Sequence, residues 1–145
     1  FYKNGITRQR LILEGPSARA ELLNSYNKVD VGLDPFPYPG GATTAEALWM
    51  GVPVITMKGS YFLSHVGESV ITSAGFPQWI AINESSYIEK AVALSSNLEN
   101  LSMIREELRE NVLSSPLFDN ALFAKDFLKP ISEIIILSAV NNGNS

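Results

Sequence analysis

Residues 29–56 read VDVGLDPFPYPGGATTAEALWMGVPVIT, and this stretch decides the fold. Residues 29–33 form a short apolar run that predicts a β-strand, and the proline- and glycine-rich residues 35–41 end it. Residues 43–50 predict a helix, and residues 52–57 predict the next strand. A strand, a glycine turn and a helix start bring free backbone N–H groups and the positive end of the helix dipole to one point. This layout suits the binding of a diphosphate.

The pattern outside this stretch also alternates between strands and helices. Further strands are predicted at residues 10–13 and 79–82, and further helices at residues 17–26, 61–74, 87–96, 98–113 and 120–137. Ser17 is the predicted cap of the first of these helices, and Pro130 predicts a break or kink in the last. Close alternation of this kind favours an α/β fold, with a parallel sheet that helices cover on both faces. We expect residues 1–140 to form one domain and residues 141–145 to be a disordered tail.

The composition argues against several classes of function. The 145 residues are enough for one domain with its own core, and the net charge of −4 without a basic block argues against nucleic acid as a partner. The chain has no cysteine and one histidine, His65, so no metal site is expected. No segment approaches the roughly 20 apolar residues of a membrane span, and we expect a cytoplasmic protein. Because the chain does not begin with methionine, we expect it to be a piece of a longer protein.

The segment PGGATTAE carries the candidate anion contacts. Gly40 and Gly41 lack side chains that would keep a diphosphate from the backbone, and Thr43 and Thr44 offer hydroxyl donors. Glu46 lies in the first helical turn, where its carboxylate could accept hydrogen bonds from ribose hydroxyls. The spacing of Thr43 and Glu46 is also that of a capping box, in which both residues serve only the helix end. The two interpretations of Glu46 stay open at this point.

Three charged or titratable residues outside this segment are further candidates. Arg19 could reach a phosphate or a base, although an exposed cation on a solvated helix face is its ordinary explanation. His65 could donate a hydrogen bond to phosphate, although a lone histidine is more often a surface or packing residue. Asp34 ends a strand where ligands of parallel sheets collect, but an aspartate before proline is also a common turn starter.

Three segments carry a resemblance to a known family. Glu46-Ala47 followed by Gly51-Val52-Pro53-Val54 resembles the E-A-x-x-x-G-x-P-V pattern of the nucleotide-sugar-binding halves of GT-B glycosyltransferases. The longer stretches LDPFPYPGGATTAEALWMGVPVIT, SHVGESVITSAGFPQWIA and SSPLFD are similar to the C-terminal catalytic domain of the O-linked N-acetylglucosamine transferase and SPINDLY-type family. Within the family, the resemblance is particularly to the bacterial members that are fused to tetratricopeptide repeats. The resemblance covers nearly all of residues 10–137.

The resemblance implies both a fold and a set of donor contacts. The fold is a Rossmann-like parallel sheet with flanking helices, the C-terminal, donor-binding half of a GT-B enzyme. In the family, the stretch that matches residues 41–46 contacts the diphosphate and ribose of a sugar nucleotide. Gly41, Ala42, Thr43 and Glu46 thereby become the leading site residues, with Gly40, Thr44 and His65 beside them. Arg19 matches a basic residue on the uracil side of the donor.

The chain departs from the family pattern at two places. Leu22 stands where many members carry a histidine, which affects recognition of the base. Gly41-Ala42-Thr43 stands where a member can carry His-Thr-Thr, so one side-chain donor to the pyrophosphate is missing while the backbone amides remain. The departures leave the identity of the donor open.

The resemblance also implies a reaction. It is an inverting, metal-independent transfer of a sugar, N-acetylglucosamine from UDP, to a Ser or Thr hydroxyl of a protein, with no cofactor besides the substrate. The implied partners are the N-terminal catalytic half, tetratricopeptide repeats of the same protein and a protein acceptor. No catalytic residue is assigned here, and the chain alone is expected to be inactive. Two alternatives are a GT-B enzyme acting on glycans or small molecules, and a degenerate, non-catalytic interaction module.

Overall fold

The structure, a computed structural model, describes residues 1–142 of the chain and the side chains of residues 1–138. Its helices are α1 (Arg19–Ser25), α2 (Ala42–Trp49), α3 (Val66–Ser73), α4 (Glu84–Ser96), α5 (Leu98–Leu113) and α6 (Asn120–Asn142). Its strands are β1 (Gly32–Leu33), β2 (Val54–Met57) and β3 (Ile80–Ala81). The elements alternate between strand and helix from β1 to α4, as the pattern predicts.

The three strands form a parallel sheet in the order β1-β2-β3. Gly32 lies opposite Val54, and Thr56 lies opposite Ile80, so β2 is the central strand. Because all strands run the same way, the loops that lead to α2, α3 and α4 leave the sheet at one edge. The predicted parallel α/β architecture is confirmed, and this carboxyl edge is where the candidate residues gather.

The core lies on the apolar sides of β2 and of the helices around it. Its largest fully buried apolar residues are Leu48, Val52, Pro53, Ile55, Ile71, Leu108 and Val112. Leu48 belongs to α2, and Leu108 and Val112 belong to α5, so these two helices share one interior. The core-facing side of α2, the helix with the candidate diphosphate contacts, therefore holds this helix in place.

The turn between α2 and β2 explains the glycine of the E-A-x-x-x-G-x-P-V pattern. Gly51 has φ = +74°, a left-handed conformation that side chains with a Cβ rarely adopt. The Val52 N–H donates to the Ala47 carbonyl at 2.8 Å, which closes the helix end. A Cβ on Gly51 would also lie 3.0 Å from the Arg105 carbonyl oxygen in α5. The glycine thus lets α2 reverse direction while it lies against α5.

The predictions for the N-terminal part were wrong at two points. Residues 10–13 do not form a strand: Arg10 is the last residue of a 3-10 turn, Arg8–Arg10, and Ile12 and Leu13 are exposed. A strand needs a hydrogen-bonded neighbour, and no strand among the described residues pairs with this segment. The first α-helix has Ala18 rather than Ser17 at its N-cap, without a side-chain cap.

Other element boundaries also differ from the prediction. The helix predicted at residues 61–74 divides into a 3-10 turn, Phe62–His65, and α3. The last helix includes Pro130 and continues through Asn142, so the first two residues of the predicted tail are helical, and residues 143–145 lie outside the described residues. None of the helices, as far as the chain is described, is long and apolar enough to cross a membrane.

Candidate functional site

The start of α2 lies at the carboxyl edge of the sheet. Gly41 is its N-cap, with φ = −115° and ψ = −82°, and the Gly41 carbonyl accepts the Ala45 N–H at 3.1 Å. The first N–H groups of an α-helix have no partner within the helix, and they lie at the positive end of its dipole. Ala42 and Thr43, which open the helix, are exposed. The geometry therefore presents a point suited to an anion.

The structure decides against the capping box. The N-cap of α2 is Gly41, which has no side chain, and Thr43 is already the second helical residue. Glu46 instead places Oε1 2.9 Å from Nη1 of Arg19 in α1. The Glu46 side chain is 18% exposed and that of Arg19 is 74% exposed. Two residues 27 positions apart, both predicted as donor contacts, thus meet beside the start of α2.

A cavity of about 280 Å³ lies next to this ion pair. Its lining residues are Arg19, Leu23, Ala45, Glu46, Trp49 and Phe118. The rings of Trp49 and Phe118 pack with their centroids 5.2 Å apart, and the Arg109 guanidinium lies 5.0 Å from the Trp49 ring. Trp49 is half-buried at this cavity. Sequence spacing offered no sign of the cavity, because its walls come from distant parts of the chain.

Asp34 is a buried hydrogen-bond acceptor at the end of β1. Its Oδ1 accepts the Gly40 N–H at 2.6 Å, and its Oδ2 accepts the Thr56 hydroxyl at 2.7 Å. The neighbouring Thr44 hydroxyl also favours the charged form of this carboxylate and so acts to lower its pKa. Burial raises the pKa of the Asp34 carboxyl above its usual value, although these hydrogen bonds oppose the shift. Asp34 therefore starts the turn and also accepts hydrogen bonds from groups inside the loop and the sheet.

These contacts define the positions of Gly40 and Thr44. The Gly40 N–H is directed to Asp34, and a Cβ on Gly40 would lie 2.5 Å from Thr43 Oγ1 and 2.6 Å from Thr44 Oγ1. Gly40 thus allows a close approach of the loop to the helix start. Thr44 is buried, whereas Thr43 is exposed. A ligand role for either glycine or either threonine stays a prediction.

His65 lies on the turn that leads into α3, beside the start of α2. A Cβ on Gly41 would lie 3.4 Å from Cγ1 of Val66, the residue after His65. His65 Nδ1 is 2.6 Å from Glu68 Oε2, and Lys58 Nζ is 3.8 Å from Glu68 Oε1. Sequence reasoning did not identify Glu68 as the partner of His65. Their spacing of three residues was the signal that could have indicated this contact. The phosphate role of His65 stays a prediction.

Comparison with known proteins shows the family. The model of glycosyl transferase family 41 matches residues 1–127. The chain belongs to glycosyl transferase family 41. The resemblance to O-linked N-acetylglucosamine transferases and SPINDLY-type proteins is thereby confirmed.

Relatives of this family 41 chain include plant proteins that bear the name "probable UDP-N-acetylglucosamine–peptide N-acetylglucosaminyltransferase". The SPINDLY protein of Solanum lycopersicum is 42% identical over 104 residues, or 72% of this chain. The SEC protein of Arabidopsis thaliana is 30% identical over 123 residues, or 84% of this chain. This chain spans 11% of the SPINDLY relative and 13% of the SEC relative.

A solved structure supports the fold of the family 41 chain. A mutant O-GlcNAc transferase of Thermobaculum terrenum matches with a TM-score of 0.82 and 35% sequence identity. The match covers 90% of this chain and 25% of that chain. It confirms the predicted fold class, the Rossmann-like C-terminal half of a GT-B glycosyltransferase.

The raised pKa of Asp34 predicts a pH dependence of stability. A carboxyl group whose pKa is higher in the folded protein contributes stability that is fully present below its unfolded pKa and is lost as the pH rises through the folded pKa. Asp34→Asn removes this titration. We expect the mutant to gain stability over the wild type as the pH rises through this window, measured as thermal midpoints from pH 3 to pH 7. A constant difference between the two proteins across this range would contradict the prediction.

Proposed function

We propose that this chain is the donor-binding half of an inverting glycosyltransferase that moves a sugar from a nucleoside diphosphate to Ser or Thr hydroxyls of proteins. We take the nucleotide to be UDP and the sugar to be N-acetylglucosamine, in line with the names of the relatives. The observation that carries the proposal is the exposed start of α2 with the Arg19–Glu46 pair beside it.

The diphosphate is proposed to bind at the start of α2. The N–H groups of Gly41, Ala42 and Thr43 and the exposed Thr43 hydroxyl would donate to its oxygens. Transfer of the sugar leaves charge on the departing diphosphate, and preoriented N–H donors and a helix dipole stabilise such charge without rearrangement. The chain would thus assist the reaction by stabilising the leaving group.

Glu46 is proposed to bind the ribose of the donor. Its carboxylate is largely buried and lies 2.9 Å from Arg19, which fixes its position beside the helix start. A carboxylate accepts hydrogen bonds only, so it suits the two neighbouring hydroxyls of a ribose. Arg19 is mostly exposed and remains able to contact the donor on its base side.

The rest of the reaction is assigned to parts of the protein outside this chain. The chain spans 11% of its SPINDLY relative, which leaves room for an N-terminal catalytic half and tetratricopeptide repeats. We propose that these parts hold the protein acceptor and the catalytic acid or base, in a cytoplasmic enzyme that needs no metal. No group of three or more His, Cys, Asp or Glu side chains among the described residues could hold a metal ion.

Calorimetric titration of the full-length protein with UDP, GDP and their sugar conjugates tests this proposal. We expect one nucleotide to bind, and Glu46→Ala to weaken its binding by about 1–3 kcal/mol, because polar groups of the bound donor lose a partner. Glu89→Ala, which changes an exposed acid on α4, is the matched control and is expected to leave the affinity unchanged.

Three outcomes would count against the proposal. Equal effects of the Glu46 and Glu89 mutations would remove Glu46 from the donor site. Failure of the full-length protein to bind any of these nucleotides would favour the interaction module. Transfer to a glycan or small molecule but not to a Ser/Thr peptide would favour the alternative acceptor class.

A further inference from the structure

Asp34 joins three elements around the loop that precedes α2. Its Oδ1 accepts the Gly40 N–H from this loop, and its Oδ2 accepts the Thr56 hydroxyl from β2. Its main-chain carbonyl accepts the Tyr87 hydroxyl from α4 at 2.8 Å. The Thr44 hydroxyl, in the first turn of α2, also interacts with this carboxylate and acts to lower its pKa. One residue therefore connects the loop, the sheet and two helices.

Two glycines allow this carboxylate to be enclosed. A Cβ on Gly67 in α3 would lie 2.5 Å from Asp34 Oδ2, and a Cβ on Gly40 would lie 3.1 Å from Oδ1. The enclosed Asp34 is 4% exposed. A buried carboxylate is tolerated when protein donors satisfy its oxygens, and here both oxygens have such donors.

Few other interactions hold the loop in place. Residues 35–40 contain three prolines, and no backbone–backbone hydrogen bond involves these six residues in the part of the chain that is described. Phe36 packs edge-on against Tyr87 with ring centroids 5.8 Å apart. At the end of the loop, directly before α2, the Gly40 N–H donates a hydrogen bond to Asp34.

We propose that Asp34 is a positioning residue that holds the loop of residues 35–41 and thereby orients the N–H groups at the start of α2. The inference rests on the proposed function where it takes these N–H groups to be the diphosphate contacts. Asp34 does not touch the donor in this arrangement. It acts through Gly40, whose N–H it accepts, and is itself held in place by the Thr56 hydroxyl.

Amide hydrogen exchange of the ligand-free, full-length protein tests the positioning directly. Asp34→Ala removes the acceptor, and we expect exchange in residues 40–44 to accelerate about tenfold or more, the effect of losing a buried hydrogen-bond partner. Asp34→Asn retains an oxygen that can accept the Gly40 N–H, so its exchange should stay within about threefold of the wild type. A merely structural role would accelerate exchange in the β2 amides as well, whereas positioning confines the effect to residues 40–44.

The affinity for UDP or GDP, whichever the wild type binds, should follow the same order. We expect Asp34→Ala to raise the Kd about tenfold or more, and Asp34→Asn to raise it less than about threefold. Tyr87→Phe is the control, because it removes the hydrogen bond to the Asp34 carbonyl and leaves the carboxylate unchanged. Should Asp34→Ala fail to fold, Thr56→Val removes the 2.7 Å bond to Oδ2 with little change of shape and should raise both exchange and Kd about fivefold.

The possible failures can be told apart. A folded Asp34→Ala protein with exchange in residues 40–44 within twofold of the wild type would overturn the positioning role, whatever the nucleotide result. Faster exchange without a change in affinity would also overturn it, as would an Asn variant as impaired as the Ala variant. A wild-type protein that binds no nucleotide would overturn the proposed function, while the exchange result would still decide the role of Asp34.

Discussion

Replacing Gly67 with alanine is expected to destabilise the fold by about 1–3 kcal/mol, the usual range for a methyl group forced into a filled interior. The added Cβ would lie 2.5 Å from Asp34 Oδ2 and 3.1 Å from Pro39 Cβ, and it would also meet Thr56 Oγ1. These atoms belong to the sheet and to the loop before α2, so relief requires movement of the candidate donor site. Native-state hydrogen exchange of the β2 amides measures the loss of stability.

Gly15→Ala is the matched control for this substitution. No atom lies within 4 Å of a Cβ at Gly15, and its φ is not left-handed, so we expect its effect to be within about 0.5 kcal/mol. Because Gly67→Ala displaces Asp34, we also expect weaker nucleotide binding. A Gly67→Ala protein as stable as the Gly15 control would show that the space between α3 and Asp34 is larger than described.

Replacing Leu48 with alanine is expected to cost about 2–5 kcal/mol, the range for removing a fully buried leucine side chain. Leu48 lies on α2 with 0% exposure, in the cluster that also contains Leu108 and Val112 of α5. The resulting cavity would loosen α2 from the core, and with it the N–H groups at the helix start. Exchange of the β2 and α5 amides is the suitable measurement.

The control for the core mutation is Leu13→Ala. Leu13 is 89% exposed, so truncation should change stability by less than about 0.5 kcal/mol. The difference between the two variants tests whether burial of the core-facing side of α2, rather than its helix propensity, stabilises this helix. A Leu48→Ala protein as stable as the Leu13 variant would contradict the described core.

Much of the architecture was predictable from residues 29–56. The apolar run, the Pro/Gly turn and the following helix predict β1, its loop and α2, and the structure has all three. Gly51 at the end of α2 was visible as a motif residue, and its left-handed backbone supplies the reason. The strand predicted at residues 10–13 was wrong because an apolar run becomes a strand only where a neighbouring strand accepts its hydrogen bonds.

The candidate site was predictable only in part. Resemblance to the family selected Arg19 and Glu46 separately, and the structure brings their side chains to 2.9 Å. The capping-box interpretation of Glu46 failed because the helix cap is Gly41, two residues before Thr43, the cap that the spacing suggests. Asp34 was visible as a turn starter, but its bonds to Thr56 and Tyr87 join residues 22 and 53 positions away.

Local pattern alone specifies the order of strands and helices, the turn before α2 and the family motif, because periodicity and turn chemistry act between near neighbours. Packing in three dimensions settles what the polar side chains do. It directs the Gly40 N–H inward to Asp34, leaves Thr43 exposed and buries Thr44, although the two threonines are adjacent in sequence. A side chain's partner depends on which distant elements surround it, and that information resides in the packed sheet and helices rather than in any short segment.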